Sequence, residues 1–526
     1  MRFSSLFSPL AALLLVGSVS VSVWAWMGRT VDLPEVPGGR LECLSYTPSQ
    51  GNGSPLDPDY VVPPGLIEAD MERLKAMTGC IRTYSSLGRQ GDVVTAAANA
   101  GLKVLVGIWI GPKDETNEKE IGRALELSAA HPEAVRALVI GNEVLLRREM
   151  SGERLAGIIR SVKARTTAQV TYADIYEFWR RNPVVAEAVD VMTIHVLPYW
   201  DDPTPVSIDE VQAHVRRIIE GAQATFPGKT LQIGEIGWPS AGRTRGGAAP
   251  SLVNEARFLR EFARQADSLG VPYNIIEAVD QPWKRLPEGT VGGYWGVLDQ
   301  DRTPKFALSG PVSEWPSWRW AALATVQGAA LALGAALILR RKLSFPRWLG
   351  TAGAGAATVG LLVAFAAQAY AFVLGPLAAV WSLYLGGLAL LGGAIVAGAC
   401  AGISLPGAKA ALRYRWAVLA PVAVSALAMA VDGRHRDFLT LALLMPAIAL
   451  LVWKPKHQDT SPAEGWLGLA FLVSGPLAVD YIGNREALAW AACCLLLAWG
   501  QRDQIVAEVK RLAAGGRQHE HGHHHG

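Results

Sequence analysis

The chain has 526 residues, 50% of them hydrophobic and 18% charged, with a formal net charge of +3 and a mean hydropathy of +0.21. It is too long for one ordinary domain, too apolar to be soluble throughout, and too near charge balance to offer an electrostatic case for a nucleic-acid partner. Five cysteines at no metal-ligand spacing exclude a zinc module and a disulfide scaffold.

In chain order, "MRFSSLFSPLAALLLVGSVSVSVWAW" sets one basic residue before an apolar run and emerges at Arg29. Residues 1–28 read as a membrane anchor or a signal peptide. The two tryptophans around Val23 and Ala25 make an indifferent cleavage site, which favours the anchor. Residues 29–317 then alternate short apolar runs with amphipathic stretches of helical period, the pattern of βα units and a parallel sheet. The runs are 41–46, 80–84, 103–109, 135–141, 169–174, 189–195, 230–235 and 273–278. Eight of them with helical stretches between fit a (β/α)8 TIM barrel. An open doubly wound sheet lacks support, because no G-x-G-x-x-G follows the first run and no G-x-x-x-x-G-K-[ST] occurs.

Residues 318–503 form a helical transmembrane domain: Leu349 to Ala408 contains no Asp, Glu, Lys or Arg, room for two spans of about 20 residues. Seven spans are expected near 320–339, 349–372, 377–403, 416–431, 438–453, 465–482 and 485–500. Basic residues concentrate in alternate loops: Arg340, Arg341, Lys342 and Arg347; Lys409, Arg413 and Arg415; Lys454 and Lys456; Arg502, Lys510 and Arg511. By the positive-inside rule these loops are cytoplasmic. The expectation is a multi-pass protein of the bacterial inner membrane, with residues 29–317 on the periplasmic side and the C-terminus in the cytoplasm. Asp480 is placed at an interface, and Cys400, Cys493 and Cys494 serve packing. Residues 504–526 are a His-rich tail, ending "HEHGHHHG", read as disordered or as an interrupted purification tag and not as a metal site.

Catalytic residues of a barrel gather where strands end on its C-terminal face. Arg82 and Tyr84 end the second run, Asn142 and Glu143 the fourth, His195 and Tyr199 the sixth, and Glu235 and Trp238 the seventh. Asp280, Gln281, Trp283 and Lys284 follow the eighth. One strand-end glutamate is more often structural than catalytic, as Glu277 is taken to be. A pair on strands four and seven faces itself across the mouth and suits glycosidic bond cleavage, in which a protonated carboxyl donates to the leaving oxygen and an ionised one attacks. Two jobs require unequal carboxyls. Glu143 is expected raised, and Glu235 kept ionised by groups such as Arg82 and Tyr199. Tyr176, Trp179, Trp200, Trp283 and Trp295 are expected at the mouth, where they favour a glucan acceptor over water.

"IGNEV" and "GEIGWPSAG", with "IRTY" upstream and "DQPWK" downstream, resemble glycoside hydrolase family 17, the β-1,3-glucanases and bacterial glucan transglycosylases, over roughly residues 40–308. The resemblance implies a retaining mechanism with Glu143 as acid/base and Glu235 as nucleophile. It also implies that Asn142 holds the sugar 2-hydroxyl, Lys284 is the lysine after strand eight, and Trp238 helps to form the sugar-binding surface. No cofactor and no metal are implied. Ile236, Leu197 and Gln281 depart from the family pattern without touching the pair. Expected partners are a β-glucan oligosaccharide or polysaccharide, the lipid bilayer and, for the membrane half, a glucan synthase or exporter. The alternatives are a transporter or sensor whose barrel only binds glucan and, less favoured, a processive synthase, whose one D-x-D, at 299–301, lies in the exported half. A serine hydrolase is disfavoured because "GWPSAG" misses the nucleophile-elbow spacing. Cys43 and Cys80, on neighbouring strands, are read as two buried thiols in preference to a disulfide.

Overall fold

The eight apolar runs become eight parallel strands: β1 Leu44–Ser45, β2 Cys80–Arg82, β3 Lys103–Ile108, β4 Val135–Asn142, β5 Val170–Ile175, β6 Val191–His195, β7 Thr230–Ile236 and β8 Tyr273–Ile275. They pair in sequence order, and β8 closes onto β1 to complete a barrel. The computed structural model describes residues 6–201, 205–455 and 459–522, the side chains of 516–522 excepted. The chain divides into two compact units, Thr30–Val312 and a second made of Met1–Arg29 with Ser313–Gly526.

In the barrel unit, the strand period of two separates inner from outer side chains. Val104, Val106 and Ile108 join the large core shared with the surrounding helices. Leu105, Ala137, Val139 and Ala173 cluster instead with Cys43 and Cys80. The helices follow local rules. Leu252–Leu269 begins where the Ser251 side chain accepts from the Asn254 amide, ends at Gly270 with φ 66°, and buries Phe258, Leu259, Phe262 and Ala263.

Cys43 and Cys80 are joined in a disulfide, Cα–Cα 4.4 Å, which corrects the expectation of two thiols. The register explains it: Leu44 pairs with Ile81, so the residues before them lie side by side on the inner face. The bridge ties β1 to β2, two of the three shortest strands, at the seam of the barrel.

Three strands are irregular where it matters. The β4–β5 register shifts between Val139 and Asn142, where Gly141 takes φ 90°. The β6–β7 register shifts between Ile194 and His195, so that His195 pairs with Glu235 and Gly234 is bulged out. The β7–β8 register shifts as well. Bulges bend a strand and re-aim the side chains beyond them.

The second unit is helical. Among the described residues, Phe7–Met27, Trp318–Ile338, Phe345–Phe372, Gly375–Cys400 and Ala408–Val431 are long and apolar enough to cross a membrane. The last three expected spans are shorter: Thr440–Val452, Pro462–Leu477 and Arg485–Trp499, of 13, 16 and 15 residues. At 1.5 Å per residue they reach about 20 to 24 Å, short of a hydrocarbon core of about 30 Å. The tail, expected to be disordered over its ending HEHGHHHG, is helical over Arg502–Gly522, and 502–514 is rich in good helix formers. It packs on Pro462–Leu477, where a Cβ at Gly468 would meet Ile505 at 2.8 Å. The final residues of the His-rich motif, 523–526, lie outside the described residues.

Reducing the disulfide, or replacing both cysteines by alanine, is expected to cost the barrel about 3 to 4 kcal/mol, because the 37-residue separation gives the unfolded chain a large loop to lose. Denaturant unfolding followed by near-ultraviolet dichroism measures it; unchanged stability would contradict the assignment.

Candidate active site

Period two on β2 puts Cys80 and Arg82 on the inner face, with Tyr84 following in the same sense. Arg82 is 1% exposed and organises the mouth. Its Nη1 donates to the carbonyl of the bulged Gly234 at 2.7 Å and to His195 Nε2 at 3.1 Å, and its Nη2 donates to Asn142 Oδ1 at 2.7 Å. The guanidinium lies 3.8 Å from Glu235 Oε2 and 4.4 Å from the centre of the Tyr84 ring.

These contacts fix the histidine tautomer. A guanidinium only donates, so His195 Nε2 accepts, and Nδ1–H donates to Glu143 Oε1 at 2.8 Å. Glu143 itself stands in the left-handed region at φ 54°, a conformation a non-glycine residue keeps only when its surroundings hold it there, and one that clusters at functional sites. What holds it is a tight turn: Glu143 donates its amide to the Ala173 carbonyl and accepts at its own carbonyl from Arg147. Burial by itself raises the Glu143 carboxyl, but the His195 hydrogen bond and the positive field of Arg82 and Arg147 outweigh it and hold the carboxyl below the ordinary glutamate range. This corrects the expectation that Glu143 is raised in the resting protein.

Glu235 accepts from Tyr84 Oη at 2.8 Å, not from Tyr199, whose hydroxyl donates to the Arg243 carbonyl at 2.7 Å. With its one hydrogen on Glu235, the Tyr84 oxygen accepts from Ser45 Oγ at 2.8 Å, and Ser45 accepts from Asn274 Nδ2 at 2.8 Å. Asn274 also donates to Gly234 O at 2.8 Å. The relay from Asn274 to Glu235 therefore has one direction throughout. Burial and the Glu235 charge raise Tyr84 well above an ordinary phenol, which keeps it a donor. Neither Ser45 nor Asn274 was legible as a site residue, because each sits within an apolar run.

One ligand atom each from Glu143, His195 and Glu235 falls within 4.8 Å of the others. The donor set does not fit a metal ion: both imidazole nitrogens are already engaged, by Glu143 and by the Arg82 cation.

The remaining expected residues divide. Lys284 is at the mouth, with Nζ 2.9 Å from Glu277 Oε2. Burial lifts Glu277 to about 7, against the opposing Lys284 charge. Gln281 is buried, accepting from Trp283 Nε1 at 2.7 Å and donating to Val279 O at 3.2 Å, so it braces the loop. Trp238 is corrected: it is fully buried, stacks on Phe258 at 5.7 Å and donates to Ala249 O at 3.0 Å, which anchors the β7 loop from beneath. Trp179 and Trp295 are buried too, and Tyr176 bonds Thr225 on a helix. Trp200 and Trp283 keep partial exposure. Trp109, not among the expected aromatics, is 39% exposed at the end of β3 with the Arg147 guanidinium 4.5 Å from its ring centre.

Asp280 is corrected as well. It is buried and paired with Lys305 at 2.9 Å, and Lys305 also pairs with Glu255 at 3.0 Å. Burial raises Asp280 to about 6 and Glu255 to about 8, Lys305 opposing in each case. Both folded values exceed the unfolded ones, so the folded state keeps protons that the unfolded chain releases, and stability falls as pH rises from about 4 to about 8. Each such proton contributes a slope of up to about 1.4 kcal/mol per pH unit. Glu255→Gln is expected to flatten the decline of the denaturant midpoint across that window; an unaltered slope would refute it.

Residues 43–296 match the family model described as the BtgE/BtgC glycoside hydrolase domain. The chain is similar to a glucan 1,3-beta-glucosidase of Arthroderma benhamiae, 27% identical over 259 residues that make up 45% of this chain and 82% of that protein. It is also similar to a probable beta-glucosidase btgE of Aspergillus flavus, 26% identical over 276 residues, 51% of this chain but only 44% of that longer protein. Among solved structures, an active-site mutant of Rhizomucor miehei beta-1,3-glucanosyltransferase in complex with laminaritriose is similar at 25% identity and TM-score 0.45, covering 51% of this chain and 97% of that one.

Proposed function

The barrel half of the chain belongs to the BtgE/BtgC glycoside hydrolase family, and from that premise we propose a membrane-anchored, retaining enzyme that cleaves β-1,3-glucosidic bonds and passes the glucosyl group to a glucan acceptor or water. One observation carries the reading: carboxylate oxygens of Glu143 and Glu235 lie within 4.8 Å. Retaining glycosidases hold their carboxyls about 5 to 5.5 Å apart, whereas inverting ones leave about 6.5 to 9.5 Å for a water.

Glu235 attacks the anomeric carbon and forms a glucosyl ester, while Glu143 gives its proton to the departing glycosidic oxygen. Glu143 then takes a proton from the incoming hydroxyl, whose oxygen displaces Glu235. Tyr84 occupies Oε2 of Glu235 and stabilises its charge. Asn142, its Oδ1 held by Arg82, has its amide hydrogens left to donate to a sugar hydroxyl. Lys284 and the partly exposed Trp200 and Trp283 belong to the cleft. Because Glu143 is held low in the resting site, substrate must expel water and raise it before it serves as an acid. The exposed aromatics supply faces for a second sugar, which favours transfer over hydrolysis.

For placement, the basic loops and the Cys43–Cys80 bridge point the same way. A disulfide persists in an oxidising compartment, which supports a bacterial inner-membrane protein with its barrel outside the cytoplasm. In spheroplasts, added protease is expected to cut the barrel and spare the C-terminal tail; the reverse pattern sinks the orientation.

The activity is tested on the full chain in detergent with labelled β-1,3-gluco-oligosaccharides. Products longer than the substrate mark transfer, and shorter ones alone mark hydrolysis. Glu143→Gln and Glu235→Gln should each lower the rate by about 10²- to 10⁴-fold. The basic limb of kcat/KM, which reports the free enzyme, is expected at lower pH than that of kcat. Glucan binding without turnover in the unmutated chain would favour a barrel that only binds.

A further inference from the structure

Lys305 comes from the segment just after the matched domain, beyond residue 296, and its side chain is 9% exposed. Its ammonium donates to Ser240 Oγ at 2.8 Å, to Asp280 Oδ1 at 2.9 Å and to Tyr294 O at 3.4 Å, and pairs with Glu255 Oε2 at 3.0 Å. Ser240 lies in the loop after β7, Asp280 and Tyr294 lie in the long connection after β8, and Glu255 is on Leu252–Leu269. The two loops also meet directly, the Ser240 amide donating to Tyr294 O at 2.9 Å.

Both loops carry the cleft. Ser240 is five residues beyond Glu235. Asp280 accepts from the Gly296 amide at 2.8 Å, next to Trp295, whose carbonyl accepts from the Glu277 amide at 2.8 Å. Glu277 in turn pairs with Lys284. A Cβ at Gly237 would already meet the Trp295 ring at 3.2 Å and Ile276 O at 2.4 Å, so the two loops close on each other without slack. We propose that Lys305 is a positioning residue, its ammonium clamping the loop after β7 to the loop after β8 and so fixing the Glu235 side of the cleft.

The clamp is electrostatically tense. One ammonium faces two buried carboxyl groups, Asp280 with the negative charge of Asp299 nearby and Glu255 with the Ser240 hydroxyl bonded to it. Burial of these charges without Lys305 is unfavourable, so the fastening and the charge balance depend on the same side chain. The consequence for catalysis rests on the proposed enzymatic function; the clamp itself does not.

The test compares Lys305→Met with the unmutated full chain in detergent, by hydrogen exchange and by glucan kinetics. The expected result is exchange faster by about 10-fold in peptides covering 237–247 and 290–297 but not in Gly152–Lys163, and kcat lower by about 10-fold or more with KM little changed. Asp280→Asn, which keeps an oxygen for the Gly296 amide and removes one charge facing the ammonium, is expected to loosen the same two loops to a smaller degree and decides the matter if Lys305→Met does not fold. Exchange and kinetics like the unmutated chain, or exchange raised evenly over the barrel, would overturn the proposal. An unmutated chain inactive on every β-glucan would sink the enzymatic reading alone, and the exchange pattern would still decide the clamp.

Discussion

The site depends on one buried cation. Arg82 contacts the bulged carbonyl of Gly234, the imidazole of His195 and the amide oxygen of Asn142, and it stands beside Glu235. A guanidinium withdrawn from water is unfavourable unless its hydrogens find acceptors, and here the acceptors are supplied by three other strands. The demand works in both directions. It places the residues before and beside each carboxyl, and it sets His195 in the tautomer that donates to Glu143. A lysine could not do this, since a point charge lacks the planar fork that addresses separate acceptors at once.

Backbone irregularity supplies what side chains alone do not. Glycines 141 and 234 sit at the two bulges preceding the carboxyls, and each has a reason to be glycine. Gly141 needs φ 90°, and a Cβ on Gly234 would lie 2.3 Å from Thr193 Cγ2. The bulge at Gly234 takes its carbonyl out of the ladder and turns it inward, where Arg82 and Asn274 satisfy it. The regular barrel makes a stable cylinder, and its irregular strand ends make the cleft. The loops then need fastening to each other, and the segment beyond residue 296 provides it with Lys305.

The two units treat buried polar groups differently. In Thr30–Val312 buried charge is met by networks of side chains: Arg302 pairs with Asp70 at 3.1 Å while Tyr46 donates to the same carboxylate at 2.6 Å. In the helical unit the long apolar helices satisfy their own backbone, and buried Arg415 is matched by buried Glu464 at 2.8 Å. The exposed leucines, valines and tryptophans of Phe7–Met27 and Gly375–Cys400 would be a liability in water and are ordinary in lipid.

The sequence by itself determined the barrel and its strand order, because short apolar runs separated by amphipathic helices permit few arrangements. It also brought forward Glu143 and Glu235, through glycine-flanked carboxyls at strand ends. What it left open is non-local. Ser45 and Asn274 look like interruptions of apolar runs until closure of β8 onto β1 sets them beneath Tyr84. Cys43 and Cys80 become a disulfide only through the register of two very short strands. Trp238 and Asp280 carry the residue types of a sugar site, yet one is packed on Phe258 and the other paired with Lys305. Glu143 was expected raised by a less hydrated site beside an ionised partner, whereas its resting state depends on His195 and Arg82 from other strands together with Arg147 of its own turn. Strand and helix patterns are local and are written in neighbouring residues; orientation, pairing and charge state depend on groups that only the closed barrel brings within a few ångströms, and those the tertiary structure decided.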